Sequence, residues 1–155
     1  MEHLRKFVCL PRAERRLLIK AALLLEAIKL GIRLLPFQTV RRLLAQVADA
    51  RVRLRRIDSF SAKRVGWAVE IASCHTPGVK TCLAQALAVQ VLLRRRGYPA
   101  LLHIGVVRAG QEQFEAHAWV ESDGEVVIGG SKLERYTPLT ALEVEGPREL
   151  RDQKP

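Results

Sequence analysis

The spacing of apolar residues changes once along this 155-residue chain, at Tyr98-Pro99. Before this point apolar residues recur every three or four positions, as they do on one face of a helix. After it, β-branched and apolar residues form short runs, and Asp123-Gly124 is a signal for a tight β-hairpin. Helices followed by antiparallel strands predict an α+β fold, in which N-terminal helices precede a further helix packed on a small antiparallel sheet.

The helical part divides into four predicted helices. The first covers residues 17–35, which carry apolar residues at helical spacing. Thr39 is the predicted N-cap of the second helix, and Ser59 or Ser61 is that of the third. The fourth ends at Gly97, since glycine is common just beyond helix C-termini. We expect a single compact domain, in which a basic helical region, residues 1–57, packs on a core formed by residues 58–155.

Positive charge is concentrated in the N-terminal half. The net charge is +10, and residues 1–66 hold 16 Lys and Arg against 5 Asp and Glu. Such a surface can meet nucleic acid, an anionic membrane or an acidic protein, and it can equally be a solvated face without a partner. Aromatic residues are scarce, which argues against a nucleic-acid partner. Four charges within residues 17–35 argue against a membrane-spanning helix, but contact with a membrane surface stays open.

Cysteine usage bears on compartment and cofactors. The chain has three cysteines, an odd number in three different contexts, which does not match a secreted disulfide framework. We therefore predict a reducing, cytoplasmic location. No His or Cys pair has the spacing of a zinc site, and we predict neither a metal nor a cofactor.

Cys82 and His117 are the residues that suggest chemistry. Cys82 lies at the predicted start of the fourth helix, where unpaired backbone N–H groups and a partial positive charge favour a thiolate. His117 lies in a strand-like run, on the face that alternation gives to Trp119 and Glu121, and we expect this face to look toward the start of the Cys82 helix. In that arrangement Cys82 attacks a carbonyl and His117 transfers protons. Each residue alone is also compatible with a merely structural role.

The residue that would orient the His117 ring is left open. A two-residue turn at Asp123-Gly124 predicts the pairs Ser122–Glu125, Glu121–Val126, Val120–Val127, Trp119–Ile128, Ala118–Gly129 and His117–Gly130. This register puts glycine where a third catalytic residue is expected. Glu121 lies about 13 Å along the strand from His117. Asp123 is a weak candidate, because it is more simply a turn former.

Several sequence runs occur together in one order. They are Cys82-Leu83-Ala84-Gln85-Ala86-Leu87, Val91-Leu92-Leu93-Arg94-Arg95-Arg96-Gly97-Tyr98-Pro99-Ala100, His103-Ile104-Gly105-Val106, Ala116-His117-Ala118-Trp119-Val120-Glu121 and Tyr136-Thr137-Pro138-Leu139. In this combination the chain resembles the lasso-peptide leader peptidases, the peptidase half of the split B protein of lasso-peptide biosynthesis. These belong to the transglutaminase-like cysteine protease superfamily, and the resemblance covers nearly the whole chain.

This resemblance implies a transglutaminase-like or papain-like core and a Cys–His–Asp protease that removes the leader from a ribosomally made precursor. Cys82 and His117 match the nucleophile and the base. The Asp is not matched, so the resemblance implies either a dyad whose histidine is oriented by a backbone carbonyl or a carboxylate from elsewhere. It also implies three partners: the precursor leader peptide, a separate leader-recognition protein and the lasso cyclase. A non-catalytic peptide-binding subunit of the same complex is the alternative.

Overall fold

A computed structural model describes residues 10–49, 61–75, 82–109, 113–130 and 133–142. The helices in these ranges are α1 (Arg12–Leu34), α2 (Phe37–Asp49), α3 (Ala62–His75) and α4 (Cys82–Arg94). The strands are β1 (Leu101–Ala109), β2 (Gln113–Ser122), β3 (Glu125–Ile128) and β4 (Thr137–Leu142), with a 3-10 turn at Leu133–Arg135 before β4. The α+β prediction is confirmed, whereas β4 was not predicted from the sequence. The predicted division at residue 57 stays a prediction.

The helix boundaries follow from local capping. The carbonyl of Pro36 accepts hydrogen bonds from the backbone N–H groups of Thr39 and Val40, so α2 begins directly after this proline. The prediction that Thr39 caps α2 is therefore wrong, because Thr39 lies inside the first turn. Ser61 caps α3, since its Oγ accepts a hydrogen bond of 3.3 Å from the backbone N–H of Arg64. Ser59, the other predicted cap, lies outside the described residues.

The end of α4 confirms the predicted glycine C-cap. Gly97 has a φ of +78°, the left-handed conformation that glycine adopts without strain. The N–H of Gly97 donates to the carbonyl of Arg94, and the N–H of Tyr98 donates to the carbonyl of Leu93. This pair of bonds is a Schellman motif, which ends the helix and turns the chain toward β1.

The strands form a four-stranded antiparallel sheet in the order β3-β2-β1-β4. Asp123 and Gly124, with φ values of +51° and +79°, form the predicted tight turn between β2 and β3. Ser122 then faces Glu125, and Glu121 faces Val126, as the sequence predicts.

Beyond these two pairs the predicted register is wrong, because β3 carries a bulge. Val120 pairs with Ile128 rather than with Val127, so one extra residue lies on β3. The bulge shifts the remaining predicted pairs by one residue as well; these are Trp119–Ile128, Ala118–Gly129 and His117–Gly130. As a result two consecutive residues, Val127 and Ile128, both contact the hydrophobic core instead of pointing to opposite faces.

The core lies between the helices and one face of the sheet. Leu87 and its neighbours on α4 share one cluster of buried side chains with Ala118 and Val120 of β2. Leu25 and Ile28 of α1 join the same cluster, so the first helix packs on the body that carries the sheet. No helix within the described residues is long and apolar enough to cross a membrane.

Candidate active site

Cys82 is the first residue of α4, and its side chain is half-buried. Its Sγ lies 3.9 Å from the carbonyl oxygen of Ala116, the residue that precedes His117 on β2. The thiol therefore touches the backbone of β2 directly beside the histidine. The rest of α4 is mostly buried, which holds the start of the helix against this strand.

His117 lies on β2 opposite Gly105 of β1. Because Ala118 and Val120 point toward α4, alternation puts the His117 ring on the other face of the strand, with Trp119. The Cys82 thiol contacts the Ala116 carbonyl, and the prediction that the His117 face looks toward the start of α4 stays a prediction.

The Nε2 atom of His117 lies 2.8 Å from the carbonyl oxygen of Gly129. A carbonyl oxygen has no hydrogen to donate, so Nε2 must carry the proton in this bond. In a neutral imidazole the other nitrogen, Nδ1, then has the free lone pair. The Gly129 carbonyl thus selects the tautomer in which Nδ1 is the base.

Position 129 requires glycine for two reasons. Its φ is +78°, a conformation that side chains with a Cβ rarely adopt. A Cβ built on Gly129 would also lie 2.7 Å from the carbonyl oxygen of Ala118 and 2.9 Å from the Cβ of Trp119. Only glycine lets the chain pass this close to β2, and this approach is what brings the Gly129 carbonyl within reach of His117.

Tyr136, just before β4, stacks on the His117 ring. The two ring centroids are 5.0 Å apart and the rings are within 26° of parallel. The Tyr136 hydroxyl donates a hydrogen bond of 3.1 Å to Oε1 of Glu115. The pKa of Tyr136 is raised, first by partial removal from water, then by the hydrogen bond and charge of Glu115, and further by Cys82. The contact of Cys82 with Ala116, the stacking of Tyr136 on His117 and the bond of Tyr136 to Glu115 place all three side chains around residues 115–117 of β2.

The weaker candidates for the residue that orients His117 are Asp123 and Glu121, and both lie elsewhere. Asp123 is exposed at the hairpin tip, about 20 Å along the strand from His117. Glu121 accepts a hydrogen bond of 3.2 Å from Nε1 of Trp119, and its other oxygen lies 3.3 Å from Nε2 of His103. His103 in turn stacks on Trp119, and Trp119 stacks on His117 with ring centroids 6.4 Å apart, so this group adjoins the His117 ring.

Cys74 and His75 lie on α3 rather than on α4 or β2. Cys74 and His75 are exposed at the end of α3, and Nδ1 of His75 lies 2.8 Å from the carbonyl oxygen of Ile71 in its own helix. Cys9 lies outside the described residues. Within the described ranges, no group of three or more His, Cys, Asp or Glu residues is arranged to hold a metal ion.

Sequence reasoning missed three contributors to this geometry. Gly129 is one of two consecutive glycines that follow a short strand, a pattern that indicates close approach of backbones but not which carbonyl faces His117. Glu115 shares the His117 face by alternation, and this was the available signal for it. Tyr136 was noted only as part of a motif, because its contact with His117 depends on the unpredicted β4.

Comparison with known proteins identifies the family of this fold. The family description "Transglutaminase-like superfamily" matches residues 22–141, a range that begins within α1, ends within β4 and includes Cys82, His117 and Gly129. No curated protein and no solved structure shows a significant match. The superfamily typically contains cysteine proteases and acyltransferases. Because the match covers most of the chain and the elements that carry the Cys–His pair, this protein belongs to the transglutaminase-like superfamily.

Proposed function

We propose that this protein is a cysteine endopeptidase that removes the leader peptide from a lasso-peptide precursor. Cys82 is the nucleophile and His117 is the general base and acid. The superfamily match supports a cysteine protease-type fold. The ordered sequence runs that resemble the leader peptidases support the finer assignment.

The hydrogen bond from His117 Nε2 to the Gly129 carbonyl is the observation that carries the proposal. It holds the ring in the tautomer whose Nδ1 can accept the proton of the thiol. The Cys82 thiol contacts the carbonyl of Ala116, the residue before His117. The proposal requires this thiol to meet the His117 ring when substrate binds, since catalytic contacts are often long or poorly aligned without substrate. The Gly129 carbonyl thereby orients His117, which is the role of the Asp in a Cys–His–Asp triad.

The reaction follows from these groups. The Cys82 thiolate attacks the carbonyl carbon of the bond between leader and core, and backbone N–H groups at the start of α4 stabilise the oxyanion. The C–N bond breaks as the His117 imidazolium protonates the departing amine of the core peptide. Water then hydrolyses the thioester, with His117 as base, which releases the leader as a carboxylic acid and restores the thiol.

The proposal extends to partners and location. The substrate is the leader of the precursor, and a separate protein recognises it, since the chain resembles the peptidase half of a split system. The freed amine of the core peptide is the group that a lasso cyclase joins into a macrolactam. We place these steps in the cytoplasm, because an odd number of cysteines in three different contexts does not match a secreted disulfide framework.

The test is leader cleavage followed by mass spectrometry. The protein is incubated with a candidate precursor and its leader-recognition partner, and Cys82→Ala and His117→Ala are compared with wild type. Cys74→Ala is the matched control, because Cys74 is an exposed cysteine on α3 and not on α4 or β2. We expect cleavage to be lost in the first two variants and retained in the control. Full cleavage by Cys82→Ala would end the proposal.

One observation favours a second function, a non-catalytic peptide-binding subunit of the same maturation complex. The partner of His117 Nε2 is a neutral carbonyl rather than a carboxylate, so a charged imidazolium is stabilised less. For this alternative we expect Cys82→Ala to bind the precursor and support maturation as well as wild type does. The cleavage assay therefore separates the two functions.

A further inference from the structure

The side of α1 that faces away from the core carries large aliphatic residues. Ile19, Leu23, Leu30 and Leu34 have 50%, 68%, 59% and 70% of their surface exposed. Single exposed leucines are normal on soluble proteins, but here two aliphatic pairs, Ile19 with Leu23 and Leu30 with Leu34, lie along one side of one helix. We call these four residues the outer α1 stripe.

The stripe has a defined geometry. At 100° per residue its four members fall within about 60° of one another around the helix. The residues of α1 that are buried against the core, Leu17, Leu18, Ala21, Leu25 and Ile28, centre about 180° away. From Ile19 to Leu34 the stripe runs about 22 Å along the helix axis. The helix is thus apolar on two opposite sides, and the described residues of the protein cover only one of them.

Basic residues surround the stripe. The exposed charged side chains of α1 are Arg12, Arg16, Lys20, Arg33 and Glu26, and Glu26 is paired with Lys29 at 3.2 Å. A second copy of the same surface would bring these cations together, which disfavours self-association. An apolar strip flanked by Lys and Arg instead matches the boundary of an anionic bilayer, where aliphatic side chains enter the acyl region and cations meet lipid phosphates.

We infer that α1 binds the surface of anionic membranes through the outer stripe, with its axis in the plane of the bilayer. The helix lies on the membrane and does not cross it, which agrees with the finding that no described helix could span a bilayer. The binding anchors the whole domain, because the opposite side of α1 is packed into the core. This inference does not depend on the proposed peptidase activity.

The test is co-sedimentation of the full chain with vesicles of phosphatidylcholine and phosphatidylglycerol, or of phosphatidylcholine alone. The triple variant L23Q/L30Q/L34Q removes three stripe residues while keeping good helix formers. Val126→Gln is the matched control, since Val126 is an exposed aliphatic residue on β3. Unchanged circular dichroism and melting temperature check that each variant is folded, and gel filtration reports the oligomeric state.

We expect wild type and Val126→Gln to bind the anionic vesicles, with binding that weakens as salt is raised. Binding to neutral vesicles should be at least about tenfold weaker, because the flanking cations lose their partners. The triple variant should bind anionic vesicles about 100-fold more weakly, since three largely exposed leucines no longer become buried. Failure of wild type to bind, or equal binding by the triple variant, overturns the inference. A wild-type dimer that dissociates in the triple variant also overturns it, because a second copy then covers the stripe.

Discussion

Replacement of Gly129 by alanine tests whether the backbone carbonyl at this position organises the site. The new Cβ would meet the Ala118 carbonyl oxygen at 2.7 Å, so the chain at position 129 must move. A positive φ costs a residue with a Cβ about 1–2 kcal/mol, and overpacking adds roughly 1–3 kcal/mol. Gly124→Ala is the matched control, because Gly124 has a φ of +79° but nothing within 4 Å of its built Cβ.

The effect on catalysis follows from the hydrogen bond that is lost. When the Gly129 carbonyl moves, Nε2 of His117 loses its acceptor at 2.8 Å. Hydrogen bonds to charged groups contribute about 1.5–3 kcal/mol, which corresponds to a factor of roughly 10–100 in rate. We expect this decrease in kcat for leader cleavage, with KM nearly unchanged, because the bond stabilises the imidazolium and does not contact substrate.

Urea unfolding and steady-state cleavage measure the two effects. Gly129→Ala should lose about 1–3 kcal/mol more stability than Gly124→Ala, and only Gly129→Ala should lose activity. Equal losses of stability, together with wild-type kcat in Gly129→Ala, would refute the reasoning. Nitrogen NMR of wild type gives a check that does not depend on the variant folding: the neutral His117 ring should carry its proton on Nε2, and a proton on Nδ1 would contradict the assigned tautomer.

Three further outcomes are expected. Gly66→Ala should lower the free energy of unfolding by about 1–3 kcal/mol in urea titrations, because a Cβ there would lie 2.3 Å from the carbonyl oxygen of Val127; no loss of stability would contradict this close approach. Glu115→Gln should lower the pKa of Tyr136 in a spectrophotometric titration, because the charge and hydrogen bond of Glu115 favour the neutral phenol and so raise this pKa. An unchanged titration curve would show that the Tyr136–Glu115 pair does not form in solution. At neutral pH, iodoacetamide should alkylate Cys82 faster than the exposed cysteine of α3, measured by peptide mass spectrometry; equal rates would argue against an activated thiol.

Features that depend on neighbouring residues alone were accessible from the sequence. Helical spacing predicted α1, and Gly97 marked the end of α4, because a left-handed C-cap needs glycine whatever surrounds it. The turn at Asp123-Gly124 was equally predictable, since Asp-Gly is a preferred pair for the type I′ hairpin turn, in which both central residues have positive φ. The start of α2 was not predictable in this way. Both Pro36 and Thr39 are acceptable near a helix start, and the path of the chain decides at which of them the helix begins.

The register of β3 depends on contacts between segments that are distant in the chain, and the sequence alone could not show it. Residues Val126, Val127 and Ile128 are all β-branched and apolar, so hydrophobic pattern alone allows either register against β2. Gly66 of α3 distinguishes the two registers, since the absence of a Cβ there leaves room for the Val127 carbonyl.

The bulge connects this helix contact to the candidate site. It turns Val127 and Ile128 toward the core and moves Gly129 along β2 by one position relative to an unbulged strand. Gly129 then packs against the backbone of Ala118 and Trp119, and its carbonyl meets Nε2 of His117. In the unbulged register His117 would face Gly130 instead. Residues 127–130 contain no carboxylate that could orient the ring in either register. A glycine on α3, far from His117 in the chain, therefore helps to determine which atom orients the histidine. A variant that straightens β3 should impair the site even if every residue that touches His117 is kept.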